Sequence, residues 1–403
     1  MLFFCTVNRF PAVEAGILIG EEGNRIMTVQ FKTFPSVEGI GRLEWDGLAA
    51  PAGPMMEWGY FYSLEKSESA SPDRGYKPCH LVAYDSGRPI ALAPLYERDR
   101  AWVEFGDGGL LEFLSEVTGH PYRRGLVGTL PFTPVPGYQF LNRPEVDPCE
   151  SGRMLLEYID FLCETQGLST SRFYFLAPEA PFMNKLLQAQ GYMGLRSQYC
   201  IWRNEGYRTF DDFLLKLKTG RRTKIRRELR TIRESGVEIS MVPAAVAPSS
   251  FYDEMFELYM NTWTKHMGLE IPPFLNRKFF KLLEETYKPR TVFSVARQNG
   301  RIIAMAIFYL KGGSLYGRYW GCYEETPFLH FAVCYYYPID YAIRIGIEMM
   351  DPGFGGEHKL HRGYEISPAY HYIKFHGERE RRLAAAMLER VWPYLGLVRN
   401  KPT

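Results

Sequence analysis

Two β-rich runs joined by Asn299-Gly300 constrain this chain more than any other feature. The runs cover residues 291–296 and 302–310, and Asn-Gly between runs of this kind is the strongest short-range signal for a β-hairpin. Gly312-Gly313 then turns the chain into a third run over 314–322. The sequence therefore predicts an antiparallel meander in the second half of the chain.

The first half contains a similar hairpin pattern. A run over 80–84 is followed by the turn Asp85-Ser86-Gly87 and by a second run over 88–96. Both hairpins contain Gly-Arg-x-Ile-Ala at the start of their second, more apolar run. One such unit in each half predicts an internal duplication with two similar domains.

Strands and helices alternate along the rest of the chain, which indicates an α/β (α+β) fold. Further strands are predicted at 29–34, 173–176, 197–203 and 237–242. Helical segments are predicted at 45–48, 56–67, 154–166, 181–190, 210–236, 251–265, 274–287 and 328–349. With a junction near 204–208, the predicted units are an N-terminal extension (1–28), a first domain (29–205) and a second domain (206–403). Met27 is an alternative start within the extension.

Composition excludes several classes of protein. The chain has 403 residues, 46% of them hydrophobic, and a net charge of only +2, so any strongly basic site must be local. Its seven cysteines form no CxxC pair, which predicts reduced thiols in a cytoplasmic protein and no zinc ribbon. It contains no apolar run long enough for a membrane span, and it lacks the motifs of P-loop NTPases, Rossmann enzymes and serine hydrolases.

A basic segment occupies the start of the second half. Lys and Arg recur from Lys216 to Arg233, and Glu228 is the only acid before Glu234. Arg222, Arg226 and Arg230 recur at helical spacing, so one helix face can present several guanidinium groups to a phosphate. The alternative is a solvated helix face. We expect the three arginines to bind an anionic ligand as a group.

The polar stretch GEHKLHRGY follows the predicted helix over 328–349. It brings together five polar candidates: Glu357, His358, Lys359, His361 and Arg362. Glu357 or His358 could accept the proton of an attacking amine, whereas Lys359, His361 and Arg362 are predicted to bind substrate. The two histidines lack a third ligand at diagnostic spacing, so no metal site is predicted. A structural surface loop is the alternative.

The end of the third strand and the start of the next helix supply the other candidates. Strand alternation predicts Tyr316, Arg318 and Trp320 on one face and Tyr319 on the other. Arg318 and Trp320 are predicted to contact a ligand, with an internal ion pair of Arg318 as the alternative, and Tyr319 is a third catalytic candidate. His330 is predicted in the first turn of the helix, where free N–H groups favour an anion.

These linked motifs resemble one family. KLKTGRRTKIRRELRTIRESGVEI, GRIIAMAIFYLKGGSLYGRYWG, EETPFLHFAVCYYYPIDYAIRIG and GEHKLHRGY together resemble the FemAB-like branch of the GNAT superfamily. The resemblance implies two tandem GNAT-like domains, each a mixed twisted sheet flanked by helices. It also implies transfer of an acyl group to an amine. Glu324-Glu325-Thr326-Pro327 stands where GNAT enzymes carry the Q/RxxGxG/A pyrophosphate loop, which is a departure from standard acetyl-CoA binding.

The resemblance leads to one main hypothesis about function. Fem enzymes transfer amino acids from aminoacyl-tRNA to muropeptide precursors, and ordinary GNAT enzymes transfer acetyl from acetyl-CoA. We therefore expect an acyltransferase with aminoacyl-tRNA or acyl-CoA as co-substrate, no tightly bound cofactor, and an amine acceptor such as a peptidoglycan precursor.

Several alternatives stay open beside it. One is an acetyl-CoA-dependent N-acetyltransferase of a small amine or protein, and another is a non-catalytic module that binds an anionic envelope precursor. DNA is not expected as a partner. The expected location is cytoplasmic, with attachment to the inner membrane face left open.

Overall fold

The computed structural model describes residues 17–18, 28–99, 105–107, 109–391 and 398–399, so most of the predicted extension over 1–28 lies outside the described residues. In chain order the strands are β1 (Ile17–Leu18), β2 (Thr28–Phe34), β3 (Lys77–Pro78), β4 (His80–Asp85), β5 (Arg88–Ala93), β6 (Tyr96–Arg98), β7 (Gly125–Gly128), β8 (Leu141–Asn142), β9 (Thr170–Phe173), β10 (Met193–Arg203), β11 (Val237–Pro243), β12 (Thr291–Gln298), β13 (Arg301–Lys311), β14 (Ser314–Cys322), β15 (Met349–Asp351), β16 (Glu365–Phe375) and β17 (Val398–Arg399).

Helices cover the faces of the sheets and fill most of the remaining chain. The α-helices are α1 (Arg42–Leu48), α2 (Trp58–Lys66), α3 (Leu110–Thr118), α4 (Pro148–Gln166), α5 (Phe182–Ala189), α6 (Phe210–Lys216), α7 (Thr219–Glu234), α8 (Ser250–Met267), α9 (Arg277–Tyr287), α10 (Leu329–Phe331), α11 (Tyr337–Arg344) and α12 (Glu378–Val391). Short 3-10 turns and one π-helical segment lie between them.

The strands form two sheets. The smaller has the order β1-β2-β4-β5-β8, and the larger has the order β11-β12-β13-β14-β15-β10-β16-β9-β7-β6-β3, with β17 beside β10. Most neighbours are antiparallel, but β7–β9 and β14–β15 are parallel pairs. The predicted mixed α/β architecture is confirmed.

Both predicted hairpins form. In the first, Ser86 and Gly87 have φ of 50° and 79°, and in the second, Asn299 and Gly300 have φ of 51° and 77°. Two successive positive φ angles define the type I′ turn, whose twist matches that of the flanking strands. The shared turn geometry is consistent with an internal duplication.

Strand β10 links the two halves of the chain. Its residues 193–201 pair with β16, and its last residues, Trp202 and Arg203, pair with β15. Strand β16 therefore comes from the second predicted domain but lies between β10 and β9 of the first. The large sheet is continuous across the two segments, and their division into two domains stays a prediction.

Two helices and one strand differ in their bounds from the predicted elements. The segment predicted over 210–236 is divided between α6 and α7, because Leu217 and Lys218 take extended backbone angles. The segment predicted over 328–349 consists of α10, a π-helix (Ala332–Tyr336) and α11, which ends at Arg344, and its last residue, Met349, begins β15 instead. The strand predicted over 173–176 lies earlier in the chain, because β9 covers Thr170–Phe173 and ends at the first predicted residue.

Candidate active site

A pocket lies where the parallel strands β14 and β15 stop pairing. Ser314, Leu315 and Tyr316 pair with the three residues of β15, and no further pair follows. Beyond this point a cavity of about 270 Å³ is lined by residues 317–320 of β14, His330 of α10, residues 334–335 of the π-helical segment, and residues 352–356, 358 and 359. We call it the strand-end pocket. The lining includes six predicted site residues: Arg318, Tyr319, Trp320, His330, His358 and Lys359.

A β-bulge reorients the side chains of β14 in this pocket. Gly317 pairs with Phe308 and Trp320 pairs with Ala306, so two residues of β14 oppose one residue of β13. A bulge of this kind reverses the inward and outward alternation beyond it. Tyr316 consequently packs in one hydrophobic cluster and Trp320 in the other. The prediction that these two side chains share a face is therefore wrong.

Tyr319 also differs from its predicted orientation. It packs against the same cluster as Tyr316, and its ring centroid lies 5.4 Å from that of Tyr259. Burial raises the pKa of the Tyr319 hydroxyl well above its ordinary value, so the phenol stays protonated. A role for Tyr319 as a catalytic base is disfavoured by this environment.

Arg318 is the most unusual side chain of the pocket. It is 4% exposed, its Nη1 donates to the Gly317 carbonyl at 2.7 Å, and the same atom lies 4.0 Å from Asp351 Oδ1. Its Nε lies 3.1 Å from the sulfur of Met55, and its Nη2 has no hydrogen-bond partner among the described residues. A buried guanidinium with a free donor is costly, so the arrangement suits a ligand that accepts a hydrogen bond.

Asp351, at the end of β15, is the buried counter-charge. Its carboxylate accepts the Gly353 N–H at 2.7 Å, and burial raises its pKa while the nearby Arg318 lowers it. The sequence reasoning missed this residue. The sequence marks Asp351 only by its position, as an acid directly before Pro352-Gly353 at the end of a short apolar run.

Two imidazoles face each other across the pocket. The His330 ring lies 4.5 Å from the Trp320 ring and 5.9 Å from the His358 ring, measured between centroids. Burial, together with the charges of His358 and nearby cations, lowers the pKa of His330 to about 3. Burial also lowers the pKa of His358, whose Nε2 lies 3.0 Å from the Tyr335 hydroxyl. Both rings are therefore neutral at pH 7, and each has one nitrogen that can accept a hydrogen bond.

Lys359 holds the wall of the pocket in place. Its Nζ donates to the carbonyl oxygens of Gly353 at 2.7 Å and Phe354 at 3.2 Å, and burial lowers its pKa. Gly355 and Gly356 both have positive φ, which glycine adopts without strain. A Cβ on Gly356 would overlap the His358 ring. The backbone here is shaped to admit that imidazole.

Arg362 lies behind the pocket and is not among its lining residues. Its guanidinium lies 3.2 Å from both carboxylate oxygens of Glu228, donates to the Tyr336 hydroxyl at 2.8 Å and covers the Phe331 ring. It also donates to the His358 carbonyl at 2.9 Å. These internal partners favour a positioning role for Arg362 over the predicted contact with substrate.

The other predicted residues lie outside the pocket. Glu357 begins the 3-10 segment Glu357–Arg362, and only its backbone is described. His361 is exposed and does not line the cavity. Arg226 and Arg230 line a separate groove on α7, whereas Arg222 lines neither. Ligand roles for these residues stay predictions.

The π-helical segment was also missed by the sequence reasoning. It places the consecutive residues Tyr335 and Tyr336 on two sides of one wall, so that Tyr335 lines the pocket and Tyr336 contacts Arg362. Segments of this kind are rare and frequent at functional sites.

Within the part of the chain that the structure describes, no helix is both long and apolar enough to cross a membrane. Among the same residues, no three His, Cys, Asp or Glu side chains come together as a metal site. The predicted cytoplasmic location stays a prediction.

The fold places a polar pocket where two neighbouring parallel strands of a mixed sheet separate. The chain belongs to the FemAB-like family, whose model, described as peptidoglycan biosynthesis/recognition, matches residues 36–392. This membership confirms the predicted family and the predicted acyltransferase class of enzyme. A sequence comparison with curated proteins gave no significant match.

Solved structures share the fold at low sequence identity. The crystal structure of FemX is 10% identical, with 87% of this chain and 98% of that chain covered and a TM-score of 0.54. A conserved protein of unknown function from Bacteroides thetaiotaomicron VPI-5482 is 11% identical, with 86% and 99% covered and a TM-score of 0.51. At these identities the likeness shows the fold alone.

Proposed function

We propose that this chain transfers an acyl or aminoacyl group from an activated donor to the amine of a cell-envelope precursor, in the strand-end pocket. The observation that carries the proposal is the buried Arg318, which lines the same cavity as two neutral imidazoles and whose Nη2 has no hydrogen-bond partner among the described residues. Membership of a family described by peptidoglycan biosynthesis/recognition supports an envelope precursor as the acceptor.

The pocket provides what the addition step requires. The amine nitrogen attacks the donor carbonyl carbon, and the carbonyl oxygen takes the electron pair and becomes an oxyanion. The Arg318 guanidinium donates a hydrogen bond to that oxygen. A charged donor in a buried site is effective because it is already oriented when the negative charge develops.

His358 is the proposed proton acceptor. His358 Nε2–H donates to the Tyr335 hydroxyl oxygen, which fixes the ring and its tautomer and leaves the unprotonated Nδ1 to take the amine proton. Collapse of the intermediate then breaks the bond to the leaving sulfur or oxygen, which receives that proton. His330 and Trp320 flank the acyl group. Glu357 is the alternative acceptor from the sequence.

The donor is an acyl-CoA or an aminoacyl-tRNA. Both present a carbonyl on a good leaving group and an anionic body. The usual pyrophosphate loop is missing before α10, where Phe328 instead takes a positive φ of 67°. This departure favours aminoacyl-tRNA over acetyl-CoA.

The test is a turnover assay with donor and acceptor panels. The intact protein is incubated with aminoacyl-tRNAs or acyl-CoAs and with nucleotide-linked muropeptides, and the acceptor mass is measured. Arg318→Gln should lower turnover by about 10²–10³-fold, the usual effect of removing one oxyanion donor. Arg301→Gln, an exposed arginine at the start of β13, is the matched control.

A double variant separates catalysis from folding. Arg318→Gln leaves Asp351 buried without its counter-charge, whereas Arg318→Gln/Asp351→Asn removes both charges. The proposal predicts that the double variant regains thermal stability but not turnover. Regained turnover would make Arg318 a structural residue. Muropeptide binding without turnover under any donor would indicate the binding module instead.

A further inference from the structure

A second concave site lies on the other side of the π-helical segment. It is a groove of about 500 Å³ between α6, α7 and α11, and we call it the α7 groove. It shares no lining residue with the strand-end pocket, although Tyr336 lines the groove and the preceding Tyr335 lines the pocket. The volume is that of an ordinary small-molecule site.

The lining of the α7 groove carries three arginines and two aspartates, and two of the arginines lie outside its ion pairs. Of its lining acids, Asp211 pairs with Arg226 at 2.9 Å, and Asp340 pairs with Arg344 at 3.1 Å. Arg230 and Arg233 also line the groove, and neither forms an ion pair with another described residue. They stand three positions apart on α7, so both guanidinium groups can reach one phosphate.

The remaining lining is largely aromatic and apolar. It consists of Phe210, Leu214, Leu229, Tyr336 and Tyr337. The Tyr336 hydroxyl is already engaged by Arg362 and Glu228, so its contribution to the groove is an apolar ring. A flat base could stack on surfaces of this kind, as bases do on aromatic side chains elsewhere. The carboxylates of Asp211 and Asp340 can accept hydrogen bonds from sugar hydroxyls.

We propose that the α7 groove binds a nucleoside phosphate. The phosphate would contact Arg230 and Arg233, the base would stack on the aromatic lining, and the ribose hydroxyls would face the two carboxylates. A lipid phosphate would use the cations but would leave the carboxylates facing acyl chains, which is unfavourable. The site goes beyond the transfer reaction, since the two cavities have no residue in common.

The test is calorimetric titration of the intact protein with AMP, adenosine and inorganic phosphate. AMP should bind most tightly, because only AMP presents both the charge and the base. Arg230→Gln/Arg233→Gln should weaken AMP binding roughly 10–100-fold, the range expected for lost hydrogen bonds to charged groups. Arg227→Gln removes one charge from an exposed position on the same helix outside the groove and should leave AMP affinity unchanged.

Four results would overturn the proposal. They are absence of AMP binding, an unchanged AMP affinity in the double variant, inorganic phosphate binding as tightly as AMP, and a short-chain phosphatidic acid binding more tightly than AMP. Because both arginines are exposed, their replacement should leave the fold intact, and circular dichroism of each variant checks this. Because AMP binding is measured without turnover, this proposal can fail while the transferase assignment stands.

Discussion

The parallel pair β7–β9 in the first half and the pair β14–β15 in the second half end differently. Beyond β7–β9, Tyr138 forms a parallel bridge with Leu176, and its hydroxyl donates to the Pro94 carbonyl at 3.0 Å. Its ring lies so close to Gly128 that a Cβ there would overlap it. Beyond β14–β15 no such residue intervenes among the lining groups, and a cavity of about 270 Å³ stays open. The first end is filled by the chain itself, and the second can hold a ligand.

The histidines near the two ends show the same contrast. Near the filled end, His371 Nδ1 on β16 accepts the Phe175 N–H at 3.1 Å, and its Nε2 lies 2.8 Å from the Ser197 hydroxyl. Burial lowers the pKa of His371 to about 3, as it does for His330. However, both nitrogens of His371 are engaged within the protein, whereas His358 and His330 line an open pocket. A lowered pKa alone therefore does not identify the catalytic histidine.

The largest expected effect is a loss of turnover on replacing His358, which replacement of His371 should not cause. His358→Ala should reduce turnover by about 10²–10⁴-fold, the range for loss of a general base, with little change in melting temperature. Glu357→Gln should have that effect instead if Glu357 accepts the proton. His371→Gln is the control at the filled end, and it should change stability more than turnover. Full activity in both His358→Ala and Glu357→Gln would show that the 3-10 segment Glu357–Arg362 does not supply the proton acceptor.

Removing the side chain that fills the end of the β7–β9 pair should lower the stability of the protein. Tyr138→Ala removes a fully buried ring and should lower the free energy of unfolding by about 3–5 kcal/mol. The matched change, Trp320→Ala, should lower the free energy of unfolding by less, because one side of that ring already faces the cavity. Urea denaturation measures both. Equal losses would mean that the two ends are packed alike. Tyr138→Phe, which deletes only the hydroxyl, extends the test if the alanine variant does not fold.

Two neighbouring glycines of the pocket wall provide a sharper comparison. A Cβ on Gly356 would overlap His358, whereas a Cβ on Gly355 would meet no atom within 4 Å. Both positions have positive φ, so alanine strains the backbone at each. Gly356→Ala should lower turnover about 10–100-fold by displacing the imidazole, and Gly355→Ala should mainly lower stability. Similar turnover in the two variants would show that the His358 position is not critical.

The smallest expected effect is a pH dependence of stability. His371 has a pKa of about 3 in the folded protein, below the ordinary value of about 6.5 for an unfolded chain. Between these values the unfolded state binds more protons, so stability falls as the pH is lowered from 6.5. His371→Gln should reduce that slope by at most about 1.4 kcal/mol per pH unit. Urea denaturation between pH 6.5 and 4.5 measures it, and an unchanged slope would contradict the lowered pKa.

Local signals in the sequence determined the hairpins, the basic helix and the polar segment. Asn299-Gly300 specifies its turn because glycine and asparagine tolerate positive φ, and this preference acts within a few residues. The candidates Arg318, His330 and His358 were recognised for a similar reason, since polar side chains on apolar elements are visible in the sequence itself.

Tertiary structure alone decided how these parts meet. The bulge at Arg318 depends on pairing with β13, the insertion of β16 beside β10 joins distant segments, and Asp351 gains its role only when β15 packs beside β14. Even the difference between the filled and open ends depends on where Tyr138 packs. Each is a contact between residues far apart in the chain, and such contacts leave no periodic pattern in one sequence. The fold class was therefore determined locally, while the pocket was decided by packing.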